Sequence, residues 1–301
     1  MSKPISYDGT FMETLDGFTS DDVVELINEL FQRDYPRDSK VTRLATESHL
    51  DGEERRSDSV IRIGEKNMYH IEIQSNSDNS IAFRAFEYSY RAAIQHGRTD
   101  NASFLELDFP KTIVFYLRSD KSTPHELTVK LNLPDGNIVT YKLPTKRLCE
   151  YKPEDLIKRS MVIFAPFYSM LFEEEVEKNP TAVEKMRDVA IFLSDGIKER
   201  LEKSEISKKT ADFAMNALRV VFKNVLAKAK LNHEKEGEIM EAVERRYNLD
   251  INVRYAEGKT EGKTEGMLEI AKNLLGMGDT VEKVSKATGL PREQIEKLCP
   301  Q

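Results

Sequence analysis

The stretch MYHIEIQSNSD, residues 68–78, carries side chains whose types and spacing could do chemistry. Its apolar and polar residues alternate at the two-residue period of a β-strand, so His70, Glu72 and Gln74 share one strand face. A carboxylate can bind a cation, and an amide beside it can orient a water molecule. The same alternation is typical of an antiparallel strand that shows one polar face to water. The period alone favours this second interpretation, a polar face in contact with water.

A second carboxylate is expected close to Glu72. If the turn GEKN closes a hairpin, Ile63 faces Met68, and Asp58 falls opposite Glu72 or Ile73. Cross-strand neighbours have Cβ atoms about 5 Å apart, and two carboxylates at that distance repel each other unless a cation lies between them. A divalent cation with oxygen ligands would relieve this repulsion. The register therefore allows a metal site at Asp58 and Glu72 but does not by itself establish one.

Glu47 is a further acidic residue that can approach this site. It ends the first predicted strand, KVTRLATE, and the turn DGEE leads the chain back toward the second strand, SDSVIRI. Glu47 would then lie near the start of the strand that carries Asp58.

A helix, three strands, a second helix and a fourth strand are predicted in that order over residues 20–118. The first helix begins at an N-cap, Ser20, and stops before Pro36. Apolar residues at helical spacing predict its buried stripe: Val23, Leu26, Ile27 and Leu30. The fourth strand, KTIVFYL, is apolar throughout and is expected to be covered on both faces. ELTVKLNLPDGNIVTYKL then predicts a hairpin with its turn at PDGN.

The second helix, SIAFRAFEYSYRAAIQHG, ends at Gly97 and has an aromatic stripe. We expect that stripe to lie in the core rather than to stack on bases. It consists of Phe83, Phe86, Tyr90 and Ile94.

Three regions are predicted along the chain. Residues 1–150 form the α/β core, and residues 151–255 a helical domain that begins with EDLIKRSMVIFAPFYSMLFEEEVEK. Residues 256–301 hold a flexible linker, with glycines at every fourth position from Gly258 to Gly266, and a helical tail. The tail, with a turn at TG before Pro291, has the proportions of a helix-turn-helix. A helical pair that packs on a partner fits it equally well.

Composition narrows the class of protein. The net charge of −7 argues against a general nucleic-acid coat protein, but it allows an enzyme that holds DNA in one local groove. Cys149 and Cys299 match no metal-ligand spacing, and the start of the chain has no apolar segment typical of a secretory signal. No stretch reaches the roughly 18 apolar residues of a membrane span. These features predict a cytoplasmic protein with free thiols and no membrane partner.

Together, the predicted elements and the motif D…ExQ resemble the PD-(D/E)XK nuclease superfamily. More narrowly, the chain resembles the recombination-promoting nucleases, also described as PD-(D/E)XK family transposases. The motif here is Asp58 followed by Glu72-Ile73-Gln74 in YHIEIQS, with FRAFEYSYRAAIQHG as the aromatic helix and EGK repeats before the C-terminus. The resemblance implies a restriction-endonuclease-like αβββαβ core, followed by a helical domain and a short helical C-terminal tail.

The resemblance also implies a set of site residues. Asp58 and Glu72 would hold Mg²⁺, or Mn²⁺ in its place, together with the main-chain carbonyl of Ile73. Gln74 stands where the superfamily usually has lysine; glutamine can orient a water molecule but supplies no positive charge.

A nearby cation is therefore expected to replace the missing lysine. Arg84 is our candidate, with Arg91 as a second one on the same helix. An ion pair with Glu87 at helical spacing is an equally good account of either arginine.

The third acidic residue has two possible positions. The superfamily often places it on the first helix, where Glu25 and Glu29 share a face. We prefer Glu47, because of its position in the predicted register.

The implied function is Mg²⁺-dependent endonucleolytic cleavage of DNA, linked to recombination or transposition. DNA is the implied partner, and the helical half could form a homo-oligomer. The alternative is a catalytically inactive protein with the nuclease fold that serves as an interaction or assembly module.

Overall fold

The computed structural model describes residues 6–44, 47–48, 55–56, 59–75, 80–101, 103–119, 122–158, 160–245, 271, 274–275 and 279–288. The protein is a mixed α/β protein, as its sequence predicts. Contacts divide the chain into two compact units, Met1–Arg246 and Tyr247–Gln301. Within the described ranges, no helix combines the length and the hydrophobicity that a membrane crossing requires.

The strands of the first unit form one large sheet and two small ladders. In chain order they are β1 (Val41–Leu44), β2 (Glu47–Ser48), β3 (Arg55–Arg56), β4 (Ser59–Ile63), β5 (Asn67–Gln74), β6 (Arg98–Asp100), β7 (Leu105–Leu107), β8 (Lys111–Tyr116), β9 (Glu126–Asn132) and β10 (Ile138–Arg147). The six-stranded sheet has the order β1-β4-β5-β8-β10-β9, whereas β2 pairs with β3 and β6 with β7. Strand β8 runs parallel to β5 and β10, and the other neighbours are antiparallel.

The helices are α1 (Tyr7–Gly17), α2 (Ser20–Phe31), α3 (Ile81–His96), α4 (Pro153–Lys158), α5 (Glu173–Val176), α6 (Pro180–Glu202), α7 (Lys208–Leu226), α8 (233–245) and α9 (Val281–Thr288). Short 3-10 segments cover Leu148–Glu150, Val162–Phe172 and Ala227–Ala229. The predicted order of helix, three strands, helix and strand corresponds to α2, β1, β4, β5, α3 and β8.

Several local predictions are confirmed. The predicted stripe of α2 is buried, although Thr19 is the N-cap and the helix ends at Phe31, before the predicted stop. Strand β8 is buried on both faces from Thr112 to Tyr116. The hairpin of β9 and β10 turns at the predicted site, where Gly136 adopts a φ of +86° that favours glycine.

The segment that begins the predicted helical domain is not one continuous helix, because it is divided into α4, a 3-10 segment and α5. Pro166 lies inside the 3-10 segment Val162–Phe172, where its missing N–H interrupts regular helical bonding. This segment is largely buried. The ring of Phe164 stacks on Phe115 of β8, with 3.8 Å between the ring centroids, and its centroid lies 5.4 Å from that of Phe11 of α1.

The predicted boundary at residue 150 does not coincide with a boundary between compact units. Both the sheet and the helices that follow it belong to Met1–Arg246, and Phe164 and Phe115 stack across the predicted boundary. The division between the two units, after Arg246, lies close to the predicted end of the helical domain at residue 255.

Helix α3 buries a different face from the one predicted. Phe83 is 63% exposed and Tyr90 45% exposed, so the prediction of a buried aromatic stripe is wrong at these positions. The buried residues of α3 are Ile81, Ala85, Tyr88, Ser89, Ala92 and Ala93. Most of these are small, and small side chains let a helix backbone approach a sheet closely.

The described part of the second unit is a small helical cluster. Ala271 and Val284 are buried, and Leu274, Leu275 and Val281 pack against them. Helix α9 corresponds to the first helix of the predicted helix-turn-helix. The predicted linker and the helix beginning at Pro291 lie outside the described residues.

Candidate functional site

Strand β5 carries the predicted site residues on a face that is buried, not solvated. Its neighbours are β4 and β8, and α3 contacts the strand. His70, Glu72 and Gln74 are each at most 3% exposed. A polar strand face in contact with water is therefore excluded at these positions. Buried polar groups, and a buried charge above all, need partners inside the protein.

Arg84 of α3 is the partner of both Glu72 and Gln74. Its Nε and Nη2 atoms lie 3.2 and 3.1 Å from Oε1 of Glu72, and Nη2 donates a hydrogen bond of 2.8 Å to Oε1 of Gln74. The guanidinium thus compensates the carboxylate and fixes the amide. The Arg84 side chain is 26% exposed, whereas Glu72 is 1% exposed, so the cation lies toward solvent and the carboxylate beneath it.

Arg91, the second candidate cation, has a different environment. It pairs with Glu87 on the same helix, with Nη2 2.8 Å from Oε1. The alternative interpretation, an ion pair at helical spacing, therefore describes Arg91, and the contact with the strand carboxylate belongs to Arg84.

A buried series of polar contacts continues from Glu72 in the other direction. Nε2 of His70 lies 3.4 Å from Oε2 of Glu72, and its Nδ1 lies 3.2 Å from Oγ of Ser89. Ser89 Oγ is 2.8 Å from Thr112 Oγ1, which accepts a hydrogen bond from Tyr141. The order Ser–His–Glu resembles a catalytic triad. Ser89 is fully buried and donates to a main-chain oxygen, so it has no access to a substrate.

This series of contacts was missed from the sequence, although part of it left a signal there. His70 shares the strand face with Glu72, and Ser89 lies on the same helix as Arg84, five residues further along. Thr112 is near the start of β8, and nothing in the local sequence relates it to the other residues.

The strand register differs from the prediction by one residue. Ile63 pairs with Asn67 rather than Met68, and the last described pair of β4 and β5 is Ser59 with Ile71. Ser59 directly follows Asp58 in the sequence, and Ile71 directly precedes Glu72. Asp58 itself lies outside the described residues.

The candidate third acidic residues lie on different elements. Glu47 belongs to the short β2–β3 ladder rather than to the first strand of the large sheet, and it pairs with Arg56, two residues before Asp58. Glu25 of α2 accepts a hydrogen bond of 2.8 Å from Ser160 and lies 3.1 Å from Arg37.

Glu29, also on α2, is half-buried. Glu25 contacts Ser160 and Arg200 of the helical half, in addition to Arg37.

The described residues near the end of β5 include oxygen atoms of the kind that bind metal ions. Among them, no group of three or more His, Cys, Asp or Glu side chains is arranged to hold a metal ion. The carboxylate of Glu72 and the amide oxygen of Gln74 are the hard oxygen donors that Mg²⁺ prefers. Oε1 of Glu72 and Oε1 of Gln74 both contact Arg84, so a divalent cation at these two atoms would have to share or displace the guanidinium. A second carboxylate would have to come from outside the described residues, where Asp58 lies.

A second cationic group follows β8. Nη1 of Arg118 donates a hydrogen bond of 2.6 Å to the main-chain oxygen of Ser75, the residue after Gln74. Its Nε and Nη2 donate to the two carboxylate oxygens of Glu173, at 2.6 and 2.9 Å. Lys228 Nζ also lies 3.1 Å from Glu173. The end of β5 is therefore bordered by Arg84 on α3 and Arg118 after β8.

The surroundings of Glu173 shift two pKa values. Burial alone would raise the pKa of the Glu173 carboxyl, but hydrogen bonds from Arg118 and Tyr7 lower it below its ordinary value. Burial and the hydrogen bond to Glu173 raise the pKa of Tyr7 to about 12. Tyr7 therefore stays a neutral donor over the physiological range.

Comparisons of the chain with protein-family models, curated proteins and solved structures return no match. What the structure defines is a mixed α/β protein with a buried carboxylate and amide on β5 and a partly exposed guanidinium on α3. The resemblance to nucleases rests on the motif residues and the order of the elements.

Proposed function

We propose that the protein is a metal-dependent DNA endonuclease with a restriction-endonuclease-like core. The observation that supports this best is the grouping of Glu72, Gln74 and Arg84 at the end of β5, next to a parallel strand. Two polar residues with the ExQ spacing are buried there and share one partly exposed cation. At a purely structural position, an apolar pair of similar volume would often be at least as stable, so the buried charge favours a functional role.

Glu72 is proposed as a metal ligand, with Asp58 and the main-chain carbonyl of Ile73. A bound Mg²⁺ would lower the pKa of a coordinated water and neutralise charge on the scissile phosphate. Gln74 would orient the attacking water through its amide. Glu47 remains our proposal for a third acidic residue, through its pairing with Arg56 close to Asp58.

Arg84 is proposed to supply the positive charge that Gln74 lacks. Its guanidinium is held by two strand residues and is partly exposed, so it can meet an approaching phosphate while its stem stays fixed. A planar fork of donors suits a phosphate oxygen pair. DNA is then the partner that we propose for this end of the sheet.

The test is incubation of the purified protein with supercoiled plasmid in Mg²⁺, in Mn²⁺ and with EDTA. We expect nicking with either metal and none with EDTA. Glu72→Gln should abolish it, because it removes the ligand charge without changing volume. Glu106→Gln, on the exposed face of β7, is the matched control and should cleave like the parent. Cleavage that survives in Glu72→Gln would refute the assignment.

The alternative is a catalytically inactive protein that serves as an assembly module. The exposed aromatic residues of α3 favour it, because apolar surface of this kind marks interaction sites. A folded protein that leaves the plasmid intact under every metal condition would favour this alternative.

A further inference from the structure

The outer face of α3 has the residue spacing of a helix that packs on another helix. Phe83, Glu87, Tyr90 and Ile94 are separated by four, three and four residues, which is the spacing of a two-helix seam. With Arg91 they line a groove of about 410 Å³. We call these five residues the α3 seam. Phe83 and Tyr90, its two aromatic members, are largely exposed.

The seam continues into an aromatic cluster on the sheet. Tyr90 contacts Phe109 at 6.4 Å between ring centroids, and Phe109 contacts Phe86 at 6.0 Å and Tyr141 at 5.6 Å. An apolar surface rich in Phe and Tyr, with an arginine inside it, has the composition of a protein interface core. The aromatic residues therefore form one continuous surface rather than scattered exposed side chains.

The charges of the seam are balanced and self-complementary. Glu87 and Arg91 form the 2.8 Å ion pair, and their side chains are 18% and 23% exposed. If two copies of α3 crossed antiparallel about a two-fold axis near residue 89, Glu87 of each copy would face Arg91 of the other. Phe83 would then lie beside Ile94 of the second copy. Such an isologous contact uses the same patch twice.

We propose that the α3 seam docks a second copy of this chain as an antiparallel helix pair. The contact from Phe83 to Ile94 is about 17 Å long, at 1.5 Å per residue. A nucleic-acid strand is the less suitable occupant, because phosphates require excess positive charge and the seam carries one charge of each sign. The inference is independent of the proposed nuclease activity, and it places self-association on α3 rather than on the helical half.

The first test is the mass of the full chain in solution across a dilution series, by sedimentation equilibrium. The parent should show twice the 34.5 kDa chain mass at high concentration. Phe83→Ser should weaken the dimer at least tenfold in Kd, because each dimer loses two buried rings. Phe192→Ser is the matched control: Phe192 is 42% exposed on α6, in the helical half, and its loss should leave the Kd unchanged. Circular dichroism checks that both variants are folded.

The second test separates the contact between copies from the ion pair within one helix. Glu87→Arg and Arg91→Glu should each be monomeric, because each homodimer would face like charges across the axis. Mixed in equal amounts, they should form a heterodimer, since two basic residues then face two acidic ones. An ion pair that acts only within one helix cannot be restored by mixing two chains.

Three results would overturn the proposal. The first is a parent protein that is still monomeric at about 100 μM, which is roughly 100 times the Kd of a micromolar dimer. The second is a dimer that is broken by Phe192→Ser but not by Phe83→Ser. The third is a monomer whose binding to a labelled oligothymidine is lost in Phe83→Ser, which would make a nucleic acid the occupant of the seam.

Discussion

Replacing Arg84 tests whether the buried carboxylate of Glu72 depends on the guanidinium above it. Arg84→Met deletes the charge and keeps a long apolar side chain, so the packing of α3 on β5 changes little. Glu72 is 1% exposed and loses contacts of 3.1 and 3.2 Å with Arg84. Gln74 loses the 2.8 Å hydrogen bond to the same group.

The expected cost follows from the burial of the pair. Removing one partner of a buried ion pair costs about 3–5 kcal/mol, because the remaining charge stays desolvated. Arg84 is itself 26% exposed, so water can reach part of the site and the lower end, about 3 kcal/mol, is expected. For a unit of this size, that loss lowers Tm by about 6–12 °C.

Urea unfolding of a double-mutant cycle measures the pair itself. In the Glu72→Gln background, Arg84→Met should cost only about 1 kcal/mol, which leaves a coupling energy of about 2 kcal/mol. Arg91→Met is the matched control. Its partner, Glu87, is on the same helix and partly exposed, so in the monomer, at low protein concentration, its loss should cost about 0.5 kcal/mol or less.

Two outcomes would refute this reasoning. If Arg84→Met and Arg91→Met lower the free energy of unfolding equally, the buried carboxylate of Glu72 does not need the charge of Arg84. A coupling energy of about zero would mean that the two side chains contribute independently of each other.

Other measurements test the metal site, the Glu173 cluster and the two units. About 10 mM Mg²⁺ or Mn²⁺ should raise the Tm of the parent but not of Glu72→Gln, since an ion bound to the folded state stabilises it; a parent without a shift contradicts the metal site. Tyr7 has a pKa raised to about 12, so its stabilising effect is complete below pH 10 and is lost as the pH rises toward 12. Urea unfolding at increasing pH measures this loss. In Tyr7→Phe, the free energy of unfolding should fall by roughly 2 kcal/mol less between pH 10 and 12 than in the parent. The same fall in both proteins would contradict the hydrogen bond to Glu173. Phe164→Ala should cost roughly 3–5 kcal/mol and shift a single transition, whereas two transitions would show that sheet and helical half unfold separately. A chain ended after Arg246 should still melt cooperatively, and a broad, non-cooperative melt would show that the first unit needs the second.

The order of the elements was accessible from the sequence, because it depends on local period and turn residues. The alternation around Glu72 predicts β5, and Gly136 in PDGN predicts the β9–β10 turn. Helix α1 was not predicted, although a signal exists: Ser6 accepts a hydrogen bond as its N-cap, and Phe11 and Leu15 follow at helical spacing.

The remaining features depend on contacts between distant residues. A period of two gives the face of Glu72 but not whether a helix covers that face. Helix α3 is apolar on two sides, so the sequence alone does not show that the side with Ala85 is buried and the side with Phe83 exposed. Arg84 and Arg91 both lie within helical reach of Glu87, and only the packing of α3 on the sheet separates them.

Tyr7 is synthesised long before the residues that it contacts in the folded protein. Its hydroxyl is bonded to Glu173 and Asn224, which are added 166 and 217 residues later. At about 5–20 residues per second, the second partner emerges roughly 10 to 40 s after Tyr7 is made. In the first part of that interval, until residue 164 is made, Phe11 and then Phe115 lack their later partner Phe164. The nascent chain should therefore expose aromatic core surface on the ribosome and bind chaperones that recognise such segments.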